Sequence, residues 1–291
     1  MNLCLEPKFI RGTYFNCGHC RSCRLSRRLE WTQRLVHEGV SYGQKAVFIT
    51  LTYKNECLPK NYSLRTRDLQ LFFKRLRKRL SYLYPDVTNI RYYACGEYCP
   101  TTQRPHYHAV IFGLDSRHRQ LIFDCWGKCK YAYYDFSLVK SRKAYAYTAG
   151  YTSKKIGTGW RKKEKETGRK SPFSVMSQGI GKNYALHYSD QFKKHPFDRV
   201  KGKEVLIPRY YRKILGVSTE QILPWIKQKT AKFIISVQNT LGIPKSTAER
   251  HVLFNGPYLV RMRLECNERL RKIEEQWRMR RMLAKPTPLG V

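Results

Sequence analysis

The sequence predicts an α+β fold: an antiparallel sheet of four or more strands with helices on one face, followed by a mainly helical carboxy-terminal region. Three observations carry this expectation. The stretch Ala46-Val47-Phe48-Ile49-Thr50-Leu51-Thr52-Tyr53 is dense in β-branched and aromatic residues and reads as a strand. After a loop marked by Pro59 and Asn61, the residues Leu69, Phe72, Phe73, Leu76 and Leu80 recur at helical spacing through 68–80. Two further strand-like runs, Ile90 to Glu97 and His106 to Gly113, are joined by a short polar loop holding Pro100, Thr101 and Pro105, which predicts an antiparallel hairpin. A helix near Arg119 to Trp126 and an aromatic strand from Tyr131 to Phe136 complete the order strand, helix, strand, strand, helix, strand. That order is the ferredoxin-like (RRM-like) split βαβ arrangement.

Around this core the chain divides into three regions. Residues 1–43 form a cysteine-rich segment and a helix over 24–39, in which Leu25, Leu29 and Val36 fall on an apolar side. Residues 44–157 hold the sheet domain. Residues 158–291 begin with a basic stretch, Gly157 to Pro172, whose Lys, Arg and Gly content predicts a mobile loop. Helical patterns follow at Glu220 to Leu241, Lys245 to Val252 and Arg261 to Leu283.

The charge selects the partner. With 57 Lys and Arg against 21 Asp and Glu, the formal charge of +36 would repel itself without a polyanion, so nucleic acid is expected. The 21 tyrosines interleave flat stacking surfaces with that charge, as single-stranded DNA binders require. No apolar run approaches the roughly eighteen residues of a membrane span, and the amino terminus lacks the layout of a signal peptide. A cytoplasmic protein without a membrane partner is expected.

The sharpest chemical signal is Arg104-Pro105-His106-Tyr107-His108. On a strand, side chains two apart share a face, so His106 and His108 converge while Tyr107 points the other way. The hairpin brings Glu97 beside them and completes a set of two nitrogens and one oxygen, with room for substrate and water. Such a set matches the facial triad of iron oxygenases and also a Mg²⁺ or Mn²⁺ nuclease. The charge favours the nuclease, because a metal that polarises a phosphodiester suits a cationic protein.

The ten cysteines, in a chain without an export signal, are expected to be reduced, metal-bound or buried. Cys57, Cys95, Cys99, Cys125, Cys129 and Cys266 have no compelling mutual spacing and read as buried thiols. Cys17-Gly18-His19-Cys20-Arg21-Ser22-Cys23 differs: Cys-x-x-Cys turns place two thiolates on one ion, and Cys4 supplies a fourth ligand. Zinc fits Cys4, Cys17, Cys20 and Cys23, and an iron-sulfur centre stays open.

A second cluster, Tyr145 to Lys155, places Tyr147, Tyr151 and Lys154 at i, i+4 and i+7 of a predicted helix, on one face. Beside a metal, the phenols are candidate nucleophiles, and Lys154 would hold a phosphate or stabilise a phenolate. Lys74, Arg75 and Lys78, on the polar side of the 68–80 helix, are candidate phosphate contacts, as are Arg104 and Lys155.

Taken together, these motifs resemble the HUH endonucleases that start rolling-circle replication. Phe48 to Tyr53 is similar to the first motif, Arg104 to His108 to the metal-binding second, and Tyr147-x-x-x-Tyr151-x-x-Lys154 to the third in its two-tyrosine form. More narrowly, the chain is similar to replication initiators of small icosahedral single-stranded DNA phages of the gokushovirus type. Cys17-Gly18-His19-Cys20, Gly96-Glu97-Tyr98, Met176-Ser177-Gln178-Gly179-Ile180-Gly181 and Ile207-Pro208-Arg209-Tyr210-Tyr211 fit that group, and the likeness runs from about residue 4 to residue 215. The resemblance implies nicking of origin DNA through a covalent 5′-phosphotyrosine, then rejoining that circularises single-stranded genomes. It also implies a host helicase and polymerase as partners, in the bacterial cytoplasm. The chain departs from the group's pattern at Gly150, where a basic residue is expected and where glycine weakens a helix by about 1 kcal/mol. A non-enzymatic zinc-containing DNA-binding or genome-packaging protein is the alternative reading.

Overall fold

The computed structural model describes residue 4 and residues 8–10, 13–87, 89–126, 134–154, 160–200, 202–225, 228, 231 and 235. Lys155, Cys129 and Cys266, and the helices expected over 245–252 and 261–283, lie outside the described residues. The chain divides into two compact units, Arg24–Ser218 and a second unit formed by Met1–Cys23 with Thr219–Val291. In the second unit, β1 (Lys8–Ile10) pairs antiparallel with β2 (Thr13–Phe15), and residues 219–225 are helical.

The larger unit is built on one five-stranded sheet. The helix α1 (Arg21–Ser41) leads to β3 (Ala46–Leu51), α2 (Thr66–Leu83), and the hairpin β4 (Arg91–Tyr98) and β5 (Pro105–Phe112). Then come α3 (Arg119–Trp126), β6 (Tyr134–Leu138), α4 (Arg142–Lys154), α5 (Trp160–Thr167) and β7 (Phe173–Met176). The strand order is β6-β3-β5-β4-β7, and every pairing is antiparallel. Strands β3 and β4 therefore run parallel with β5 inserted between them, and β5 and β6 flank β3 in the same way: two interleaved split βαβ units, as the element order predicts.

Helices cover both faces. On one, Leu69, Phe72, Phe73 and Leu76 of α2 and Leu121 and Ile122 of α3 pack on Val47, Ile49, Ala109 and Ile111. This is the single covered face the sequence predicts. On the other, Leu35 of α1 and Tyr145 and Ala149 of α4 pack on Ala46, Phe48, Val110 and Phe112. The second layer follows from the unbroken run Ala109-Val110-Ile111-Phe112, which lacks the polar alternation of a sheet with one wet face.

Two other expectations are revised. The stretch expected as a loop over 157–172 contains α5, whose residues 160–167 are strong helix formers with no Gly or Pro inside. Beyond residue 157, β7 pairs with the open edge of β4 as a fifth strand, Cys95 opposite Ser174. Cys57, expected as a plain buried thiol, is disulfide-bonded.

The unit closes with α6 (Lys182–His187), α7 (Ser189–Lys194), the hairpin β8 (Phe197–Val200) and β9 (Lys203–Leu206), and α8 (Arg209–Leu215). Ala185, Phe192, Ile207, Tyr211 and Leu215 form its local core.

Candidate metal centre

The β4–β5 hairpin sets Glu97 directly opposite His106, and Cys95 opposite His108. Opposed residues share a face, so Glu97, His106 and His108 all lie on the α1/α4 side, at the sheet end where β3 finishes and β5 begins. Both imidazoles aim Nε2 at one carboxylate oxygen, Glu97 Oε1, at 3.3 Å from His106 and 3.2 Å from His108. The rings stand nearly perpendicular, 4.9 Å apart. Each ring is steered by its other nitrogen. His106 Nδ1 lies 3.2 Å from the Arg104 carbonyl, and His108 Nδ1 lies 3.0 Å from Thr50 Oγ1 on the neighbouring strand.

These partners decide the chemistry. A carbonyl only accepts, so His106 Nδ1 must carry the proton, and the Nε2 of the neutral ring then presents a lone pair to a carboxylate oxygen. Two acceptors at that distance repel unless a cation or a proton sits between them. Burial pushes His108 below its ordinary value, opposed by the hydrogen bond to Glu97. The buried, convergent donors fit a divalent cation, held by two nitrogens and one oxygen.

The neighbouring side chains come from three elements. Thr50, which sequence reasoning missed, aligns with His108 in the β3–β5 register, and Asp135 of β6 aligns with Thr50. The only sequence signal for Thr50 is its parity with Phe48 on β3. Phe48 stacks on His108 with ring centroids 5.6 Å apart, and the Tyr147 ring meets both edge-on, 5.9 Å from Phe48 and 6.4 Å from His108. Tyr147 is half exposed, whereas Tyr145 is buried against Phe112 and anchors α4 to the sheet. Tyr151 and Lys154 lie one and two turns further along α4.

The helix runs unbroken through Gly150, and the structure explains that residue. A Cβ there would lie 3.2–3.3 Å from the Arg28 guanidinium, which crosses from α1 and donates to the Ala146 carbonyl at 3.0 Å. A cation thus stands beside this position, but it comes from another helix.

The basic candidates separate. Arg104 donates to Asn55 Oδ1 and, at 2.7 Å, to the Tyr53 carbonyl, clamping the hairpin loop to the chain after β3. Arg75 is spent holding α3, through the carbonyls of Cys125 and Trp126. Lys74 and Lys78 are exposed on α2, the helix packed against the opposite face of the sheet from the histidines.

In the second unit, Cys4, Cys17, Cys20 and Cys23 converge. Cys4 and Cys20 sulfurs are 3.9 Å apart, as are those of Cys17 and Cys23. A tetrahedral ion with Zn–S bonds of about 2.3 Å demands sulfur separations of about 3.8 Å. Backbone N–H groups of Cys17, Cys20 and Cys23 donate to the sulfurs of Cys4, Cys17 and Cys20 at 3.2, 3.3 and 3.4 Å. Those bonds favour thiolates, while burial pushes the Cys23 thiol above its ordinary value. A cation at the centre resolves that conflict.

Comparison with known proteins adds a family. A family model of replication-associated proteins of the ORF2 type matches residues 46–156, from β3 to just past α4. The chain is 29% identical to replication-associated protein VP4 of Bdellovibrio phage phiMH2K, over 70% of this chain and 68% of that protein. It is a phage replication-associated protein of the microvirus type. Within this family, it is 27% identical to replication-associated protein ORF2 of Spiroplasma virus 4, over 78% of this chain and 76% of the relative. For replication-associated protein ORF4 of Chlamydia phage 1 the figures are 26%, 68% and 53%. No solved structure matches the chain. No helix among the described residues is long and apolar enough to cross a membrane.

Proposed function

We propose that this protein, whose relatives support a role in phage replication, is a metal-dependent DNA nicking and strand-rejoining enzyme that works through tyrosine. The observation that carries the reading is the half-exposed Tyr147 ring lying against His108, one of three convergent donors. Glu97, His106 and His108 would hold Mg²⁺ or Mn²⁺. When bound, such an ion acts as a Lewis acid that draws charge off the scissile phosphate.

The protein's own residues account for the rest. Thr50 and the Arg104 carbonyl hold the imidazoles in the ligand tautomer, and Phe48 keeps His108 from turning. The Tyr147 oxygen bonds to phosphorus as the bond from phosphorus to the 3′ oxygen of the preceding nucleotide breaks. The phenol gives up its proton, the departing oxygen gains one, and a 5′-phosphotyrosine with a free 3′-hydroxyl results. Attack by a 3′-hydroxyl on that linkage reverses the exchange and closes a strand, with no nucleotide hydrolysis. Tyr151 serves as the second nucleophile, so that a new cut precedes release of the first strand, and Lys154 contacts the phosphate. Host replication proteins supply the synthesis between cuts.

Buried tyrosines are poor rivals for this role. Burial pushes Tyr107 up to about 12 and drives Tyr53 above its ordinary value as well, so both phenols stay protonated at neutral pH. An origin oligonucleotide with Mn²⁺ tests the proposal: the wild type should form a denaturant-stable adduct, with the 5′ nucleotide on Tyr147 or Tyr151 by mass spectrometry. An adduct that persists in Tyr147→Phe/Tyr151→Phe overturns it.

The four thiolates are proposed to hold a structural Zn²⁺. Sulfur separations near 3.9 Å suit one ion better than an iron-sulfur cluster, which spreads its thiolates over several irons. Metal analysis of the purified protein should find stoichiometric zinc; iron with acid-labile sulfide would refute the assignment.

A further inference from the structure

Two motifs of the sequence, Met176 to Gly181 and Ile207 to Tyr211, take no part in the metal centre, yet the fold joins them on α1. Arg34 Nε donates to the Ile180 carbonyl at 3.0 Å, and the Gly181 N–H donates to Glu38 at 2.5 Å. Gly181 has φ +79°, and a Cβ there would overlap the Tyr211 hydroxyl, so only glycine lets α8 close onto this turn. Their meeting leaves a recess of about 320 Å³, walled by Glu30, Trp31 and Arg34 of α1 and by Pro208, Arg209, Tyr210 and Lys213.

Its chemistry is that of a nucleotide site. The Arg34 guanidinium lies between two rings, 4.1 Å from the Trp31 centroid and 4.3 Å from Tyr210. Three cations face one carboxylate, so the recess carries net positive charge. Burial pushes Arg34 below its ordinary value, the mark of a guanidinium short of compensating anion. The volume lies at the small end of the roughly 300–1,000 Å³ of ligand sites. Trp31 in turn packs on Tyr93, ring centroids 4.8 Å apart. Tyr93 precedes Glu97 by four residues on the same face of β4, about 13 Å along the strand, a span of a few nucleotides.

We propose that this recess binds one nucleotide of a single-stranded DNA, its phosphate on Arg209, Lys213 and Arg34 and its base against Trp31 and Tyr210. The inference rests on the reading that the protein acts on single strands, and it adds a second anchor on the sheet face that carries the candidate metal centre. A strand held at both points is kept in register with the nucleophile.

The test measures binding of a fluorescein-labelled mixed-sequence single strand to the full chain in EDTA, which removes any dependence on metal chemistry. Arg209→Glu/Lys213→Glu is compared with Lys193→Glu/Lys194→Glu, an equal charge change on exposed positions of α7. Relative to that control, the recess variant should bind more weakly, with a salt slope shallower by about 1 to 2. Photo-crosslinking of wild type to a bromodeoxyuridine-substituted strand should label Trp31 or Tyr210. Binding equal to the control, or crosslinks at neither ring, overturns the proposal. If the recess results hold while the Tyr147→Phe/Tyr151→Phe variant still forms an adduct, the nicking assignment fails and the recess stands.

Discussion

On β5, Tyr107 points to one face of the sheet and its neighbours His106 and His108 to the other, and the two faces are put to different uses. Toward α2, the Tyr107 hydroxyl is fully accounted for: it lies 2.8 Å from the Tyr53 hydroxyl, receives the Arg65 N–H at 2.9 Å and donates to the Arg65 carbonyl. Tyr53 also donates to Asp68 at 2.8 Å. Toward α4, the ring nitrogens are satisfied on one side only, and the other side faces a carboxylate oxygen across a gap that suits a cation. A satisfied buried network rigidifies, whereas an unresolved one makes a ligand site. Period-2 alternation lets a three-residue stretch supply both.

Substitutions can break this contrast. The largest expected effect is on cleavage: losing any of Glu97, His106 or His108 should remove several kcal/mol of transition-state stabilisation, about a thousandfold in rate. Stability should respond in the opposite sense to an ordinary core change. Glu97→Gln replaces an acceptor facing two acceptors with a donor, so the metal-free variant should melt no lower than wild type; a marked drop in melting temperature would show that the site is an ordinary buried network.

Next in size, Tyr107→Ala should cost about 3–5 kcal/mol in urea unfolding, without direct contact with the candidate metal. The network also has a pH signature. Because burial raises Tyr107 to about 12, its neutral form is favoured by folding. That contribution is complete below the unfolded value of about 10 and is lost as pH rises toward 12. Tyr107→Phe should flatten the alkaline fall in melting temperature; an unchanged fall would place its cause elsewhere.

The smallest effect sharpens the comparison. Thr50→Val keeps shape but removes the partner of His108 Nδ1, and should weaken divalent-metal affinity about 10- to 100-fold, with chemistry at saturating metal near wild type. Calorimetric titration of Mn²⁺ reads it directly, and unchanged affinity would leave Thr50 a purely structural neighbour.

How much was legible in the sequence depends on how local the relation is. The pairing of Glu97 with His106 spans nine residues of one hairpin, so strand parity and a short loop were enough to read it. Thr50 and His108 are separated by 58 residues and meet only because β5 inserts between β3 and β4. Gly150 read as a defect in a helix; the reason for it is the Arg28 guanidinium, 118 residues from the Ala146 carbonyl it binds. Lys74 and Lys78 read as part of one basic surface with the histidines, but the layer order puts α2 behind the sheet.

The sequence by itself determined the local geometry: which residues are extended, which are helical, and which side chains alternate to one face, since these follow from propensity and from periods of 2 and 3.6. It also determined the charge that makes a polyanion the partner. Only the tertiary structure decided that α1 and α4 cover the second face, that Tyr147 rather than a buried phenol lies beside His108, and that two distant motifs close a recess on Arg34. Those relations rest on strand order and layer packing, which arise from burying both faces of one sheet at once, and no window of sequence contains both partners.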